Sequence, residues 1–275
     1  EGEILEALRA DLGKPTTEGM VEGLALRQEL RLCDTQLRRW MRPRRVPVPL
    51  PLQPGRAEVI REPLGCVLII GPWNYPFHLT LQPLISALAA GNTAVVKPSE
   101  QAPATADLIE RLLGSAFDPE VVRVVQGDGS TAAALVDQGY DHIFFTGGGS
   151  IGAKVMAGAA RHLTPVTLEL GGKSPAIVLP GADLAVTARR LIWGKGLNAG
   201  QTCIAPDYLL VEDSLRDPLV KALAAARVDL YGTDPVGSSD LGRIINDRQY
   251  QRLEALLDGA RVNGQVLIGG ESDAN

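Results

Sequence analysis

Between residues 65 and 170, five short runs of aliphatic, β-branched or aromatic residues, at 67–70, 94–96, 121–125, 143–145 and 166–168, are separated by amphipathic stretches at 80–90, 105–113, 131–138 and 151–163. Each run has the length of a strand buried on both faces, and each stretch is long enough for a crossover helix. This alternation leaves few folds open, because it predicts a parallel sheet with helices on both faces. In such a doubly wound, Rossmann-like sheet a ligand lies beyond the carboxyl ends of the strands, so chemistry is expected in the loops that follow them. After Gly171 the pattern restarts, with strands expected at 176–179, 208–211 and 265–268 and helices at 183–193, 214–230 and 248–257. The expected architecture is α/β in two domains. Residues 1–170 carry N-terminal helices, an extended arm at 43–60 and the sheet; residues 171–275 form a second α/β domain, incomplete at its C-terminal end. The hinge is placed at Gly171-Gly172, where two permissive residues let the chain turn.

Ahead of the sheet, Leu26, Leu30, Cys33, Leu37 and Trp40 recur at spacings of four and three and define one face of a helix over 21–41. Cys33 lies on that face and is expected to pack as a small hydrophobe. The arginines at 38, 39, 42, 44 and 45 are taken as a solvated face. Between 43 and 54 proline alternates with Val and Leu, which restricts the segment to an edge strand or an extended arm.

Composition excludes several functions. With 27 Lys plus Arg against 32 Asp plus Glu, the net charge of −5 gives no general attraction to nucleic acid or acidic membranes. No stretch reaches the roughly 20 apolar residues of a membrane span. The three cysteines, at 33, 66 and 203, contain no C-x-x-C pair and imply reduced thiols in a cytoplasmic setting. No metal-ligating set is assigned. The chain opens on Glu1 rather than Met, and the expectation is a piece of a longer protein.

Five loops carry candidate chemistry. Gly71-Pro72-Trp73-Asn74-Tyr75-Pro76 follows the first strand, and prolines on both sides of Asn74 stiffen its backbone. The Asn74 amide can donate to an oxyanion or cap the next helix. Lys97-Pro98-Ser99-Glu100 follows the second strand; the pair can take the hydroxyls of a ribose or form a surface ion pair. An acidic Glu100 there disfavours a ribose phosphate, which leans toward NAD over NADP. Gly147 to Gly152 follow the fourth strand as a variant glycine-rich turn that can hold a pyrophosphate at a helix N-terminus. Glu169 sits in an apolar run after the fifth strand, as a general base or as the partner of Lys173. Asn198 to Pro206 presents Cys203 in a loop of small and polar residues, as a nucleophile or as a packed thiol.

Taken together, P-W-N-Y-P at 72–76, K-P-S-E at 97–100, F-T-G-x-x-x-x-G at 145–152, L-E-L-G-G-K at 168–173 and G-Q-T-C at 200–203 resemble the aldehyde dehydrogenase superfamily. A-P-D-Y at 205–208 and L-T-P-V at 163–166 are similar to its class 3, or fatty-aldehyde, branch. The resemblance covers nearly the whole chain. It implies NAD(P)-dependent oxidation of an aliphatic or aromatic aldehyde to the acid, with Cys203 as nucleophile, Glu169 as general base, and Asn74 with the Cys203 N–H as oxyanion donors. It implies cofactor contacts from Trp73, Lys97, Glu100, Gly147, Gly148, Gly149, Ser150, Ile151, Gly152, Leu170 and Gly171, with residues 1–170 as the NAD-binding domain and 171–275 as part of the catalytic domain. The family commonly has Ser or Asn where Gly148 stands. Its E-x-F-G-P motif does not occur within these 275 residues. A small-molecule aldehyde, NAD or NADP, and a homodimeric full-length protein are the implied partners. Two other readings remain: a non-catalytic cofactor-binding or assembly module, and a cysteine acyl-transfer enzyme without a redox step.

Overall fold

The computed structural model describes residues 1–273. In chain order they form α1 (Gly2–Leu12), α2 (Thr16–Trp40), β1 (Arg44–Val46), β2 (Ala57–Val59), β3 (Cys66–Ile70), α3 (His78–Ala89), β4 (Thr93–Lys97), α4 (Pro103–Ala116), β5 (Val122–Val124), α5 (Gly129–Val136), β6 (His142–Gly147), α6 (Gly149–Ala160), β7 (Val166–Leu170), β8 (Ser174–Val178), α7 (Leu184–Gly196), β9 (Pro206–Val211), α8 (Asp213–Tyr231) and α9 (Asp247–Val262). They divide into two compact units: residues 22–99 with 109–169, and residues 1–21 and 100–108 with the chain from Leu170 onward. Among the described residues no helix is long and apolar enough to cross a membrane.

The first unit holds a five-stranded sheet in the order β5-β4-β3-β6-β7, whose β3–β4, β4–β5 and β3–β6 pairs are parallel. One face buries Leu68 and Ile70 of β3 with Ile143 and Phe145 of β6 against Val136 of α5 and Val155 and Ala159 of α6. Val67 and Ile69, which point the other way, are buried as well. Burial on both faces is why these strands are continuous apolar runs. Asp128 caps α5 by accepting from the backbone N–H groups of Ser130 and Thr131. Two carboxylates of α2 tie it to α3: Glu22 accepts from the His78 N–H at 2.9 Å, and Glu29 accepts from the Ser86 hydroxyl at 2.9 Å. Cys33 is buried, as its helical face predicts, and burial together with the Glu29 carboxylate pushes its thiol up from the ordinary range. The proline-rich stretch is an exposed ribbon in which β1 and β2 pair antiparallel, Arg44 opposite Val59.

In the second unit β8 and β9 pair parallel. Their helices α7 and α8 close a core of Val178, Ala188, Leu219 and Ala226. Asp183 caps α7 through the Val186 N–H at 3.0 Å. Two expectations are corrected in this unit. The helix expected to stop at residue 193 continues to Gly196. Glycine in it is a packing requirement, since a Cβ at Gly196 would lie 1.9 Å from the Tyr231 hydroxyl oxygen. Residues 265–268 are not a strand. A run this short, Gln265 followed by three apolar residues, needs a ladder partner to become one, and Gly269 and Gly270, at φ 70° and 86°, turn the chain directly after it.

Candidate active site

Where the strand order reverses, the loops of two neighbouring strands open a crevice, and ligands of open α/β sheets bind there. In the first unit the reversal falls between β3 and β6: β4 and β5 extend the sheet to one side of β3, while β6 and β7 extend it to the other. The loop after β3 carries Trp73 and Asn74. Gly71 begins it by donating its N–H to the Lys97 carbonyl at 2.9 Å, which extends the β3–β4 pairing by one residue. A Cβ at Gly71 would fall 2.0 Å from the Thr80 Oγ1, so only glycine lets the chain pass α3 so closely. Asn74 is half-buried and is not the cap of α3. The cap position belongs to Phe77, and the His78 N–H is taken by Glu22.

The loop after β6 is the glycine-rich turn. Gly148 occupies the N-cap of the 12-residue α6 without a side-chain cap, and a Cβ at Gly148 or Gly149 would meet nothing within 4 Å. An uncapped helix N-terminus with open space above it, at the switch point of the sheet, suits a pyrophosphate. Gly147, half-buried, packs on the Phe145 ring, Ser150 and Ile151 are exposed, and Gly152 is buried against the helix. Lys97 ends β4 with 2% exposure, and its Nζ donates to the Pro98 carbonyl at 3.0 Å. Glu100 is exposed and belongs to the second unit.

Glu169 lies near the end of β7, an edge strand, and is exposed. On an edge strand the neighbouring residues do not all face a core, so the apolar run around Glu169 does not bury it. Lys173 pairs with Asp207, whose carboxyl is held below its usual range chiefly by that hydrogen bond. The ion pair considered for Lys173 with Glu169 is replaced by this one.

Cys203 belongs to the second unit, as do Leu170 and Gly171. Of the three cysteines it is the exposed one, while Cys66 is intermediate and Cys33 buried. It sits in a turn closed by the Ala205 N–H donating to the Thr202 carbonyl at 3.1 Å. A Cβ on Gly172 would stand 3.6 Å from the Cys203 carbonyl oxygen, so this unit brings the Gly171-Gly172 corner beside the thiol's backbone. The approach to Cys203 is unusual. Asn198 and Ala199 are both left-handed, at φ 52°, and Gly200 follows at φ 77°. Asn198 is fully buried, and its N–H donates to Glu18 Oε2 at 2.8 Å. Gln201 donates to the carbonyls of Asn198 and Arg243, at 2.9 and 2.8 Å, and accepts from the Ile245 N–H at 3.0 Å. Sequence reasoning misses both Glu18 and Gln201. Gln201 stands in plain view inside G-Q-T-C, but a hydrogen-bonding role there depends on partners distant in sequence.

The profile described as "Aldehyde dehydrogenase family" matches residues 1–275. Aldehyde dehydrogenase family 3 member H1 of Arabidopsis thaliana is 47% identical over 275 residues, covering 99% of this chain and 57% of the relative. The Rattus norvegicus protein named "aldehyde dehydrogenase, dimeric NADP-preferring" is 44% identical over 271 residues, covering 98% of this chain and 59% of the relative. A solved structure described as the substrate-bound state of Staphylococcus aureus AldH superposes with a TM-score of 0.94 at 43% identity, covering 99% of this chain and 59% of that one. The chain thus spans somewhat more than half the length of these relatives.

Proposed function

The chain belongs to the aldehyde dehydrogenase family, and from that premise we propose that it carries the nucleophile and the cofactor cradle for oxidising an aldehyde to a carboxylic acid. The observation that carries the proposal is the exposed Cys203 in the turn that follows the left-handed residues 198–200, within a chain matched to the family over residues 1–275. We assign cofactor binding to the domain read over 1–170 and the nucleophile to 171–275.

The Cys203 thiolate adds to the aldehyde carbon. The carbonyl electron pair moves onto oxygen, where the Asn74 amide and the Cys203 N–H donate to it. NAD or NADP, when bound, supplies the acceptor for the hydride that leaves this carbon. Gly147 to Gly152 would hold its pyrophosphate at the α6 N-terminus, and Trp73, Lys97, Glu100, Leu170 and Gly171 would line the rest of its site. A thioester remains on Cys203. Glu169 takes a proton from water as the water oxygen adds to the thioester carbon. The C–S bond then breaks, the acid leaves, and the proton on Glu169 passes to solvent. The substrates expected are medium- or long-chain aliphatic or aromatic aldehydes. The acidic Glu100 favours NAD, whereas the rat relative is named NADP-preferring. The same name supports a dimer, and the three free cysteines support a cytoplasmic setting.

The test is reduction of NAD and NADP by a series of aldehydes, measured on wild type and two variants. Glu169→Gln is expected to give a single burst of NADH without turnover, because the thioester forms and is not hydrolysed. Asn74→Ala is expected to lose about 10²- to 10³-fold in kcat. Full turnover by either variant would sink that residue's role, and no aldehyde-dependent reduction by wild type would sink the whole reading.

A further inference from the structure

Resting on that reading, we propose that Gln201 and Glu18 are positioning residues. They hold a left-handed turn that the chain would not adopt unaided, and through it they set where the Cys203 thiol stands.

Alanine loses roughly 1–2 kcal/mol in the left-handed region, which asparagine tolerates better. Asn198 and Ala199 both occupy it, one after the other. Such conformations persist when their surroundings over-determine them, and they concentrate at sites of function. Two side chains contribute to those surroundings. Glu18 accepts from the Asn198 N–H at 2.8 Å, a bond in which a carboxylate meets a backbone donor. Gln201 uses both amide protons, one on the Asn198 carbonyl and one on the Arg243 carbonyl, and its oxygen receives the Ile245 N–H. Asn198 returns a bond from Nδ2 to the Gln201 carbonyl at 3.3 Å. The Arg243 N–H donates in turn to the Leu12 carbonyl at the end of α1, at 2.8 Å. Gly242 approaches as well: a Cβ there would stand 3.8 Å from the Ala199 nitrogen.

Three segments distant in sequence, 12–18, 198–201 and 242–245, therefore form one hydrogen-bonded block. Cys203 is two residues beyond Gln201, on the first turn that leaves it. A turn made only for stability would use glycine at residue 199 and need no support. With Ala199 in place, Glu18 and Gln201 hold the left-handed turn in shape. Releasing either lets residues 198–200 relax toward right-handed backbone and carries Cys203 with them. A shift on the order of 1 Å in a reacting group costs about 10²-fold in rate.

Four variants test this in the protein: Glu18→Gln, which keeps an acceptor oxygen for the Asn198 N–H; Glu18→Ala, which does not; Gln201→Ala; and Gln201→Met, which fills the volume without the amide. Three readouts are taken: kcat and KM for an aldehyde, the rate of iodoacetamide labelling at each cysteine resolved by peptide mass, and the unfolding midpoint. Glu18→Ala, Gln201→Ala and Gln201→Met are expected to lose about 10²-fold in kcat with KM little changed. Labelling of Cys203 is expected to slow in these variants while Cys33 and Cys66 keep their wild-type rates. Glu18→Gln is expected to restore both. Should Gln201→Ala fail to fold, Gln201→Met and the Glu18 pair decide. Unchanged kcat and Cys203 labelling in Glu18→Ala and Gln201→Met would overturn the proposal. So would equal damage from Glu18→Gln and Glu18→Ala, or a parallel change at all three cysteines, which would mark general loosening. If wild type reduces no cofactor, the dehydrogenase reading fails, and labelling of Cys203 still judges the positioning claim.

Discussion

The tightest packing around the Cys203 approach lies where α7 ends, and its cost can be worked from the distances. A Cβ at Gly196 would stand 1.9 Å from the Tyr231 Oη, 2.5 Å from Cζ and 2.8 Å from Cε2. No flexible end can swing aside, because the contact includes the ring itself. Overpacking of this kind costs about 1–3 kcal/mol. Gly196 has right-handed backbone, at φ −75° and ψ −25°, so alanine there regains about 0.4–1 kcal/mol from the unfolded chain. Gly196→Ala should therefore destabilise by about 1–2 kcal/mol net. At roughly 2 cal/mol/K of unfolding entropy per residue, each kcal/mol lowers Tm by roughly 2 °C in a chain of 275 residues. The expected drop is about 2–4 °C. A double-mutant cycle with Tyr231→Ala isolates the cause. In the Tyr231→Ala background the same glycine substitution should become neutral or stabilising, a coupling of about 2 kcal/mol. Tyr231→Phe should relieve only part of it, since the ring carbon remains. Urea unfolding of the four proteins of the cycle measures this directly. If Gly196→Ala costs the same in both backgrounds, the close approach to Tyr231 is not what requires glycine there, and the account of the end of α7 is wrong.

Four further outcomes are expected. Gly71→Ala should destabilise by about 1–3 kcal/mol and lower turnover, because its Cβ would meet the fully buried Thr80 and push the Trp73-Asn74 loop off its path; unchanged urea unfolding would refute it. Burial holds the His142 imidazole below its ordinary range, beside the Thr167 hydroxyl at 3.0 Å, so the unfolded chain takes up the proton first; stability should fall as pH drops below about 6.5, and His142→Gln should flatten that fall in Tm. Under limiting iodoacetamide Cys203 should label first and Cys33 last, since Cys203 is exposed while Cys33 is buried with its thiol pushed up; the reverse order in peptide maps would contradict that ranking of the thiols. Asp128→Ala should cost about 1 kcal/mol through the lost α5 cap, read by urea unfolding, whereas Asp128→Asn should cost less.

What the sequence discloses depends on whether the determining contacts are local. The strands of the five-stranded sheet are legible because burial on both faces imposes continuous apolar runs, and β3 and β6 match their expected positions to within two residues at each end. The start of α2 is less so: it begins at Thr16, five residues before its expected start at 21, just after Pro15, and proline leading into the first turn is a start that a search for periodicity passes over. Residues 265–268 have the composition of a strand without the neighbour that would make them one. Glu169 shows the converse, an acidic residue in an apolar run whose exposure follows from edge position, which composition does not encode.

The turn before Cys203 is the least legible part and the most consequential. Its sequence, Asn198-Ala199-Gly200, offers one glycine where the backbone is left-handed three times in succession. A local reading assigns that conformation to Gly200 and allows it at Asn198, but Ala199 has no intrinsic reason to share it. The carboxylate that stabilises it is on Glu18, 180 residues away in sequence, and the amide that completes it points to Arg243 and Ile245, more than 40 residues further along the chain. Local propensity and adopted conformation disagree at this turn, and such disagreements are expected where a chain gives up local comfort for placement of a reactive group. The candidate nucleophile itself is readable from its motif. The scaffold that aims it is held by long-range hydrogen bonds, so its test is the separate response of Cys203 to Glu18 and Gln201.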